Sequence, residues 1–244
     1  MKTALFADIH ANREALQACL AHARGQGAER HVFLGDIVGY GADPLACLDL
    51  VRGFAAAPCV LGNHDAAALG GLGEDMNPVA RESAYWTRRQ LGSAERDFLA
   101  GLPLTVRQDD RLFVHASAHR PAEWEYVAGS AEALRCAAAT DAAGIFAGHL
   151  HQPLFFFAAA GAMQMFVPRP GVPVPLPRRR RWLAVAGSVG QPRDGQPAAA
   201  YLLFDDEKRH LVFQRVPYDA ARAAAKVIAA GLPVELAARL ERGV

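Results

Sequence analysis

The feature that most constrains this chain is a set of short apolar runs that each break off in glycine, carboxylate, amide or imidazole. "TALFADIH" ends in Asp8 and His10, and "HVFLGD" in Asp36. "PCVLGNHD" ends in Asn63, His64 and Asp65, "LFVHA" in His115, and "AGIFAGHLH" in His149 and His151. Unbroken apolar runs of this length read as buried strands. In open α/β sheets, ligands gather beyond the carboxyl ends of the strands, which is where these polar residues fall.

Between the runs the periodicity changes. "NREALQACLAHARGQG" carries Ala15, Leu16, Cys19, Leu20 and Ala23 on one helical face, with Asn12 placed to cap it. Pro44 opens a second helix through "LACLDLVRGF". "PCVLG" is expected as a third strand, so strand and helix alternate over the first quarter. That alternation argues for a parallel or mixed sheet with right-handed crossovers. Residues 66–101 read as helical after the glycine-rich "LGGLGEDMNP". "LTVRQDDRLFVHA" reads as a hairpin around Gln108 to Asp110. "AGIFAG", "LFFFAA", "AMQMFV", "RWLAVAG", "AAAYLLFD" and "HLVFQRV" read as further strands, with alanine-rich helices from Asp219 onward. "PRPGVPVPLPRRRR" (168–181) is expected to be an extended surface loop. The fold class is α/β: two sheets of mixed strands with helices over their outer faces.

The chain has 244 residues, 52% of them hydrophobic, enough for one domain spanning 1–244. A formal charge of +1 gives no global field toward nucleic acid or membrane. Cys19, Cys47, Cys59 and Cys136 form no close pair and read as small hydrophobes in a reducing compartment. The first apolar run is too short for a signal peptide, and residues 154–167 fall short of the ~20 a membrane helix needs. A cytoplasmic protein is expected, with no membrane partner.

Asp8, His10, Asp36, Asn63, His115, His149 and His151 offer carboxylate, imidazole and amide donors suited to hard or borderline metals. Asp8/His10 and His149/His151 are each two residues apart, a spacing that projects both side chains to one side of an extended backbone. Seven donors exceed the three or four that one catalytic ion takes from protein. Two ions sharing Asp36 as a bridge would use them all. Taken singly, each has a plainer reading: Asp8 as a turn residue, His10 as a cap, His115 as a core histidine. Their joint occurrence at five strand ends carries the metal reading.

The series D-x-H, G-D, G-N-H-D, a lone histidine after a strand, and G-H-x-H resembles the calcineurin-like metallophosphoesterase superfamily. "GDIVGYGADP", "VHASAHRPAEWEYV" and "VAGSVGQPRDG" resemble a bacterial branch of phosphodiesterases and diadenosine-tetraphosphatase-like proteins. The resemblance implies an α-β-β-α sandwich and two divalent metal ions (Mn, Fe or Zn). One ion would be held by Asp8, His10, Asp36 and His151, the other by Asp36, Asn63, His115 and His149. It implies attack on a phosphoester by a hydroxide bridging the ions. His64 would assist the leaving group, with Asp65 hydrogen-bonded to its ring; Asp65 also reads as a helix N-cap. Gly35 and Gly62 would let backbone approach the centre.

The chain departs from the phosphoprotein-phosphatase pattern at Gly39 and Tyr40, where an aspartate and a substrate-clamping arginine are missing. Ser117 and Arg193 are candidate substrate contacts, Ser117 reading also as a turn residue. Val185 and Ala186 stand where an Asn-Pro pair often precedes "GSVGQPRDG". The run Arg178 to Arg181 reads as a solvated tip or a guide for nucleic-acid phosphates. Asn77, Arg81 and Trp86 read as an access lip or a cover helix. The expected partner is a small-molecule phosphoester or a nucleotide, with nucleic acid not favoured. A phosphodiesterase is the leading reading. A dinucleoside polyphosphate hydrolase, a nuclease and a non-catalytic scaffold are the alternatives, and oligomeric state is open.

Overall fold

The first quarter of the chain builds a parallel pair with its crossover. β1 (Lys2–Phe6) leads through α1 (Arg13–Gly25) to β2 (Arg30–Phe33), with Thr3 in register with Arg30. Asn12 caps α1, its Oδ1 accepting the Ala15 N–H at 3.1 Å, and Ala15, Leu16, Cys19 and Ala23 form the buried stripe. α2 (Pro44–Arg52) follows, started by the proline whose missing N–H costs nothing in the first turn. The expected third strand does not form. "PCVLG" makes one isolated parallel bridge, Phe33 to Cys59. Pro58 has no N–H to extend a ladder, and Gly62 already begins the next helix.

The computed structural model describes residues 1–71, 76–176 and 179–244. The 66–101 segment holds α3 (Asn63–Leu69), α4 (Pro78–Gln90) and α5 (Ser93–Ala100), with residues 72–75 of "LGGLGEDMNP" outside the described residues. β3 (Thr105–Gln108) and β4 (Arg111–Val114) form the hairpin. α6 (Ser130–Ala138), not among the expected helices, precedes β5 (Gly144–Ala147), β6 (Pro153–Ala159) and β7 (Ala162–Phe166). β8 (Pro173–Pro175), β9 (Trp182–Ala186), β10 (Ala199–Asp205) and β11 (His210–Val216) complete the strands. α7 (Ala220–Ala229) and α8 (Val234–Arg242) follow.

The strands make two mixed sheets, ordered β2-β1-β10-β11-β8 and β3-β4-β5-β9-β6-β7. Alternation along β1 shows the layering. Ala4 and Phe6 pack outward with α1 residues Leu16 and Cys19, while Leu5 packs inward with Phe146, Phe155, Leu202 and Phe213 from both sheets. α6 covers the other sheet through Ala133, Cys136 and Ala137. The layers therefore run α-β-β-α. Phe146 and Phe155 are buried in the central layer, where truncating one to alanine costs about 3–5 kcal/mol. All four cysteines are free, as expected. No helix among the described residues is long and apolar enough to cross a membrane.

The proline-rich segment is a partial correction. Residues 173–175 are not loop but an edge strand on β11, with Leu211 opposite Val174. Val174 and Leu176 turn inward while Pro173 and Pro175 stay exposed, the one sheet position that tolerates proline. Of the arginine run, Arg178 lies outside the described residues, and Arg179 and Arg180 are exposed. Arg181 is a structural clasp: its guanidinium donates to the Ala142 carbonyl at 3.1 Å and to that of Thr140.

Candidate metal centre

The parallel strands β1, β2, β4, β5 and β9 all release polar residues from their carboxyl ends. Three backbone hydrogen bonds bring those ends together: Asp8 N to Gly35 O (3.1 Å), Gly148 N to His115 O (2.8 Å) and Val189 N to Ala7 O (2.9 Å). The last stitches one sheet to the other. Asp8, His10, Asp36, His64, His115, His149 and His151 are buried, and Asn63 is half-buried. Residues from five separated segments thus share one buried polar cluster.

Three groups within it have ligand geometry. Asp8, His10 and His151 offer donor atoms all within 4.8 Å of one another, as do Asp36, His115 and His149, and a third set, His10, Asp36 and His64, overlaps the first at His10 and the second at Asp36. His10 Nε2 faces His151 Nε2 at 3.0 Å, and His115 Nε2 faces His149 Nδ1 at 3.2 Å and Asn63 Oδ1 at 3.1 Å. Asp36 Oδ2 lies between the first two, 3.7 Å from His10 Nε2 and 3.4 Å from His115 Nε2, and accepts no hydrogen bond.

The backbone prepares three of the four histidines. His10, His115 and His151 each donate Nδ1–H to a carbonyl, of Val38 (3.3 Å), Leu34 (2.8 Å) and Gln191 (2.6 Å). A carbonyl only accepts, so the tautomer is fixed and the Nε2 lone pair points inward. The rationale of an extended backbone for the two-residue spacings is corrected. Asp8, His10, Asp36, His149 and His151 all have left-handed φ, between 48° and 67°. Non-glycine residues rarely hold this conformation, and it concentrates where function imposes it. Ser188 supports the turn, donating its hydroxyl to Asp8 O at 2.8 Å.

Electrostatics follow from the burial. Burial disfavours charge on both Asp36 and His115, yet their pairing overrides it. Asp36 is held well below the usual carboxylate range, chiefly by His115, and Asp36 carries His115 up to about 9. Burial pushes His64 down to about 4 and His10 and His149 well below their ordinary value. A buried carboxylate oxygen without a hydrogen bond, among inward imidazole lone pairs, is a donor set that fits divalent cations of borderline softness.

His64 opens α3, its N–H donating to Asp36 Oδ1 at 2.8 Å. Its ring packs edge-on to His10 (centroids 4.9 Å) and tilted against Tyr40 (4.3 Å), and its Nδ1 has no hydrogen bond. The expected bond from this ring to Asp65 is not made. Asp65 instead accepts Val38 N and Gly62 N, both at 3.1 Å, and caps the helix. Burial, with Asp36 nearby, pushes Asp65 up to about 7. Gly62 fulfils its expectation, since a Cβ there would lie 2.1 Å from Asp36 Oδ1.

Of the two candidate substrate contacts, one is brought to the centre. Arg193 Nη2 donates to Tyr40 Oη at 3.2 Å and to Gln191 Oε1 at 3.3 Å, with its guanidinium 5.7 Å from the Tyr40 ring centroid. Ser117 is buried, and its hydroxyl accepts the His119 N–H at 3.2 Å and meets the Cys136 thiol on α6. Asn77 caps α4 through Ala80 N, Trp86 packs with α7 and α8, and Arg81 donates to Met76 O, which makes α4 a cover helix. Sequence reasoning missed three aromatic rings at the centre. Tyr40 lies over His10 (4.6 Å), Trp124 stands edge-on to His115 (5.9 Å), and Tyr126 stacks on His149 (4.0 Å). The aromatic-rich "EWEYV" was the signal that could have found two of them.

Residues 1–209 match the calcineurin-like phosphoesterase superfamily domain. The chain is 33% identical over 249 residues to an uncharacterised protein of Methanocaldococcus jannaschii, covering 98% of this chain and 97% of that one. A metallophosphoesterase from Sphaerobacter thermophilus superposes with a TM-score of 0.89 at 37% identity, covering 100% of this chain and 99% of the other. A hypothetical protein from Pyrococcus horikoshii shares the fold at a TM-score of 0.80 and 18% identity, covering 100% and 98%.

Proposed function

This chain belongs to the calcineurin-like phosphoesterase superfamily and is a phosphoester hydrolase, and from that premise we propose that it is a phosphodiesterase working with two divalent ions. The observation that carries the pair of ions is Asp36 Oδ2, buried without a hydrogen bond between two sets of imidazole nitrogens. Asp8, His10, Asp36 and His151 would hold one ion, and Asp36, Asn63, His115 and His149 the other. The donor set suits Mn, Fe or Zn. Bound there, such ions supply Lewis acidity toward phosphoryl oxygens and a nucleophile from water near neutral pH.

The chain's own residues do the rest. His64, beside His10 and Asp36 with an unengaged Nδ1, stabilises the phosphoryl oxygens or assists the leaving group by hydrogen bonding from the neutral ring that burial favours, a contribution of about 10²–10⁴-fold. Arg193 supplies from the loop after β9 the cation that the segment at Gly39 and Tyr40 lacks, and orients a phosphate through its planar fork. Tyr40 packs on one side of His64 and holds Arg193 by its hydroxyl. The substrate is a small-molecule or nucleotide phosphoester, handled by the whole chain as one domain in the cytoplasm.

The test is hydrolysis of bis-p-nitrophenyl phosphate by protein purified with Mn²⁺, alongside elemental analysis. Turnover should fall by about 10²–10⁴-fold in His64→Ala while bound metal is retained. Undiminished turnover in that variant would remove His64 from the reaction.

A further inference from the structure

The loop after His115 carries two large aromatic side chains to the rim of the metal centre. Tyr126 lies parallel to the His149 ring, with centroids 4.0 Å apart and planes inclined by 15°, yet it is 49% exposed. One face of the phenol is therefore used and the other is open. Trp124 stands half-buried beside His115, at 5.9 Å and 70°. The loop holds these rings in place. Glu125, between them in sequence, accepts the Arg135 Nε–H from α6 at 3.1 Å. Arg120 and Trp124, with φ of 51° and 55°, cap the two ends of a single 3-10 turn, Pro121–Glu123, closed by the Glu123 N–H to the Arg120 carbonyl at 2.9 Å. An open aromatic face fixed at the mouth of a buried, charged site is a place for a flat ring that arrives with the substrate.

We propose that Trp124 and Tyr126 form a stacking platform for the base of a nucleoside phosphodiester whose phosphate is cleaved at the metal centre. The proposal rests on the phosphodiesterase reading above and names its substrate class. Every nucleobase has a π-face, so such a platform selects for nucleosides without reading which base is present. Arg193 and Tyr40 then take the phosphate, on the His10 and His64 side of the centre, while the rings take the base on the His115 and His149 side. With a net charge of +1 the chain has no extended field for a polyanion, which favours a mononucleoside or dinucleoside ester over a long nucleic acid.

The experiment compares two diesters with the same leaving group on the Mn²⁺-loaded protein: thymidine 5′-(p-nitrophenyl phosphate) and methyl p-nitrophenyl phosphate. The ratio of their kcat/KM values should favour the thymidine ester by about ten-fold or more. That ratio should collapse toward one in Tyr126→Ala and Trp124→Ala, through KM, and persist in Tyr126→Phe. A wild-type ratio near one overturns the platform. So does a Tyr126→Ala variant in which both esters slow equally, because that is the behaviour of a residue that only steadies His149. Binding of AMP against ribose 5-phosphate, followed by isothermal titration calorimetry, reads the stacking without turnover. Tighter AMP binding that is lost in Trp124→Ala and Tyr126→Ala, with neither ester hydrolysed, would keep the platform and overturn the phosphodiesterase reading. Equal binding of AMP and ribose 5-phosphate overturns the platform itself.

Discussion

His115 Nε2 stands 3.4 Å from Asp36 Oδ2 with both side chains fully buried, a pairing that lowers the carboxylate's pKa and raises the imidazole's against the effect of burial. The same carboxylate is 3.7 Å from His10 Nε2, on the other group of candidate ligands. Asp36 Oδ2 therefore faces imidazole nitrogens of both candidate groups. Asp36→Asn keeps an oxygen able to accept the His64 N–H but removes that charge. Bound metal should fall for both sites together, with affinity reduced at least ~100-fold and turnover lost with it. Elemental analysis after dialysis is the check, and a variant that keeps its full metal complement would refute the sharing.

Gly39 separates the role of His64 from that of the metal ligands. It sits at φ +88°, and a Cβ there would lie 2.7 Å from His64 Nδ1 and 2.9 Å from its Cβ. Gly39→Ala therefore displaces that imidazole, and the left-handed backbone adds about 1–2 kcal/mol of strain. Turnover of bis-p-nitrophenyl phosphate should drop about 100-fold, while metal analysis gives the wild-type stoichiometry. Equal loss of metal and turnover would mean that the glycine shapes the ligand cluster instead.

Asp65 holds backbone, and its substitution should read as a stability defect. Asp65→Ala leaves the buried N–H groups of Val38 and Gly62 without an acceptor, a cost of about 2 kcal/mol or more. In a chain of this size that lowers the melting temperature by roughly 4–8 °C. Asp65→Asn, which retains one acceptor oxygen, should lose about half as much. If Asp65→Asn instead melts like wild type and loses as much turnover as His64→Ala, the aspartate acts on the ring after all.

The sequence made the metal cluster legible because its donors are concentrated where apolar runs stop, and a buried strand has few other uses for Asp8, Asp36 or His115. That Asp8 and His151, 143 positions apart, could share a site followed from converging strand ends, whereas their assignment to one ion came from the family resemblance. What could not be read is the way they converge. Left-handed φ at Asp8, His10 and His149 has no compositional signature, since such positions are normally glycine or asparagine. β8 was hidden because Pro173 and Pro175 argue against a strand, and only an edge position reconciles them with one. Tyr40, Trp124 and Tyr126 lie outside any periodic pattern. Their positions depend on Arg193, Arg135 and His149, which come from other segments. The contacts of Ser117 were equally out of reach of spacing, since its hydroxyl meets the His119 N–H and the Cys136 thiol of α6.

The carboxy-terminal helices make an electrostatic prediction away from the site. Lys226 on α7 places its Nζ 2.6 Å from Glu14 on α1 and 2.6 Å from Asp43 at the start of α2. Burial works against the ammonium, but these two carboxylates outweigh it and raise its pKa above the ordinary 10.5. A raised folded-state pKa means that the contribution is complete below 10.5 and disappears as pH climbs through the higher folded value. Lys226→Met should therefore lower stability by about 1 kcal/mol at neutral pH, a shift of about 2–4 °C in melting temperature. The gap between variant and wild type should narrow above pH 10.5 and shrink in high salt. Melting curves of both proteins from pH 7 to 11.5 measure it directly. A constant gap across that range would mean that Lys226 stabilises through the packing of its methylenes and not through its charge.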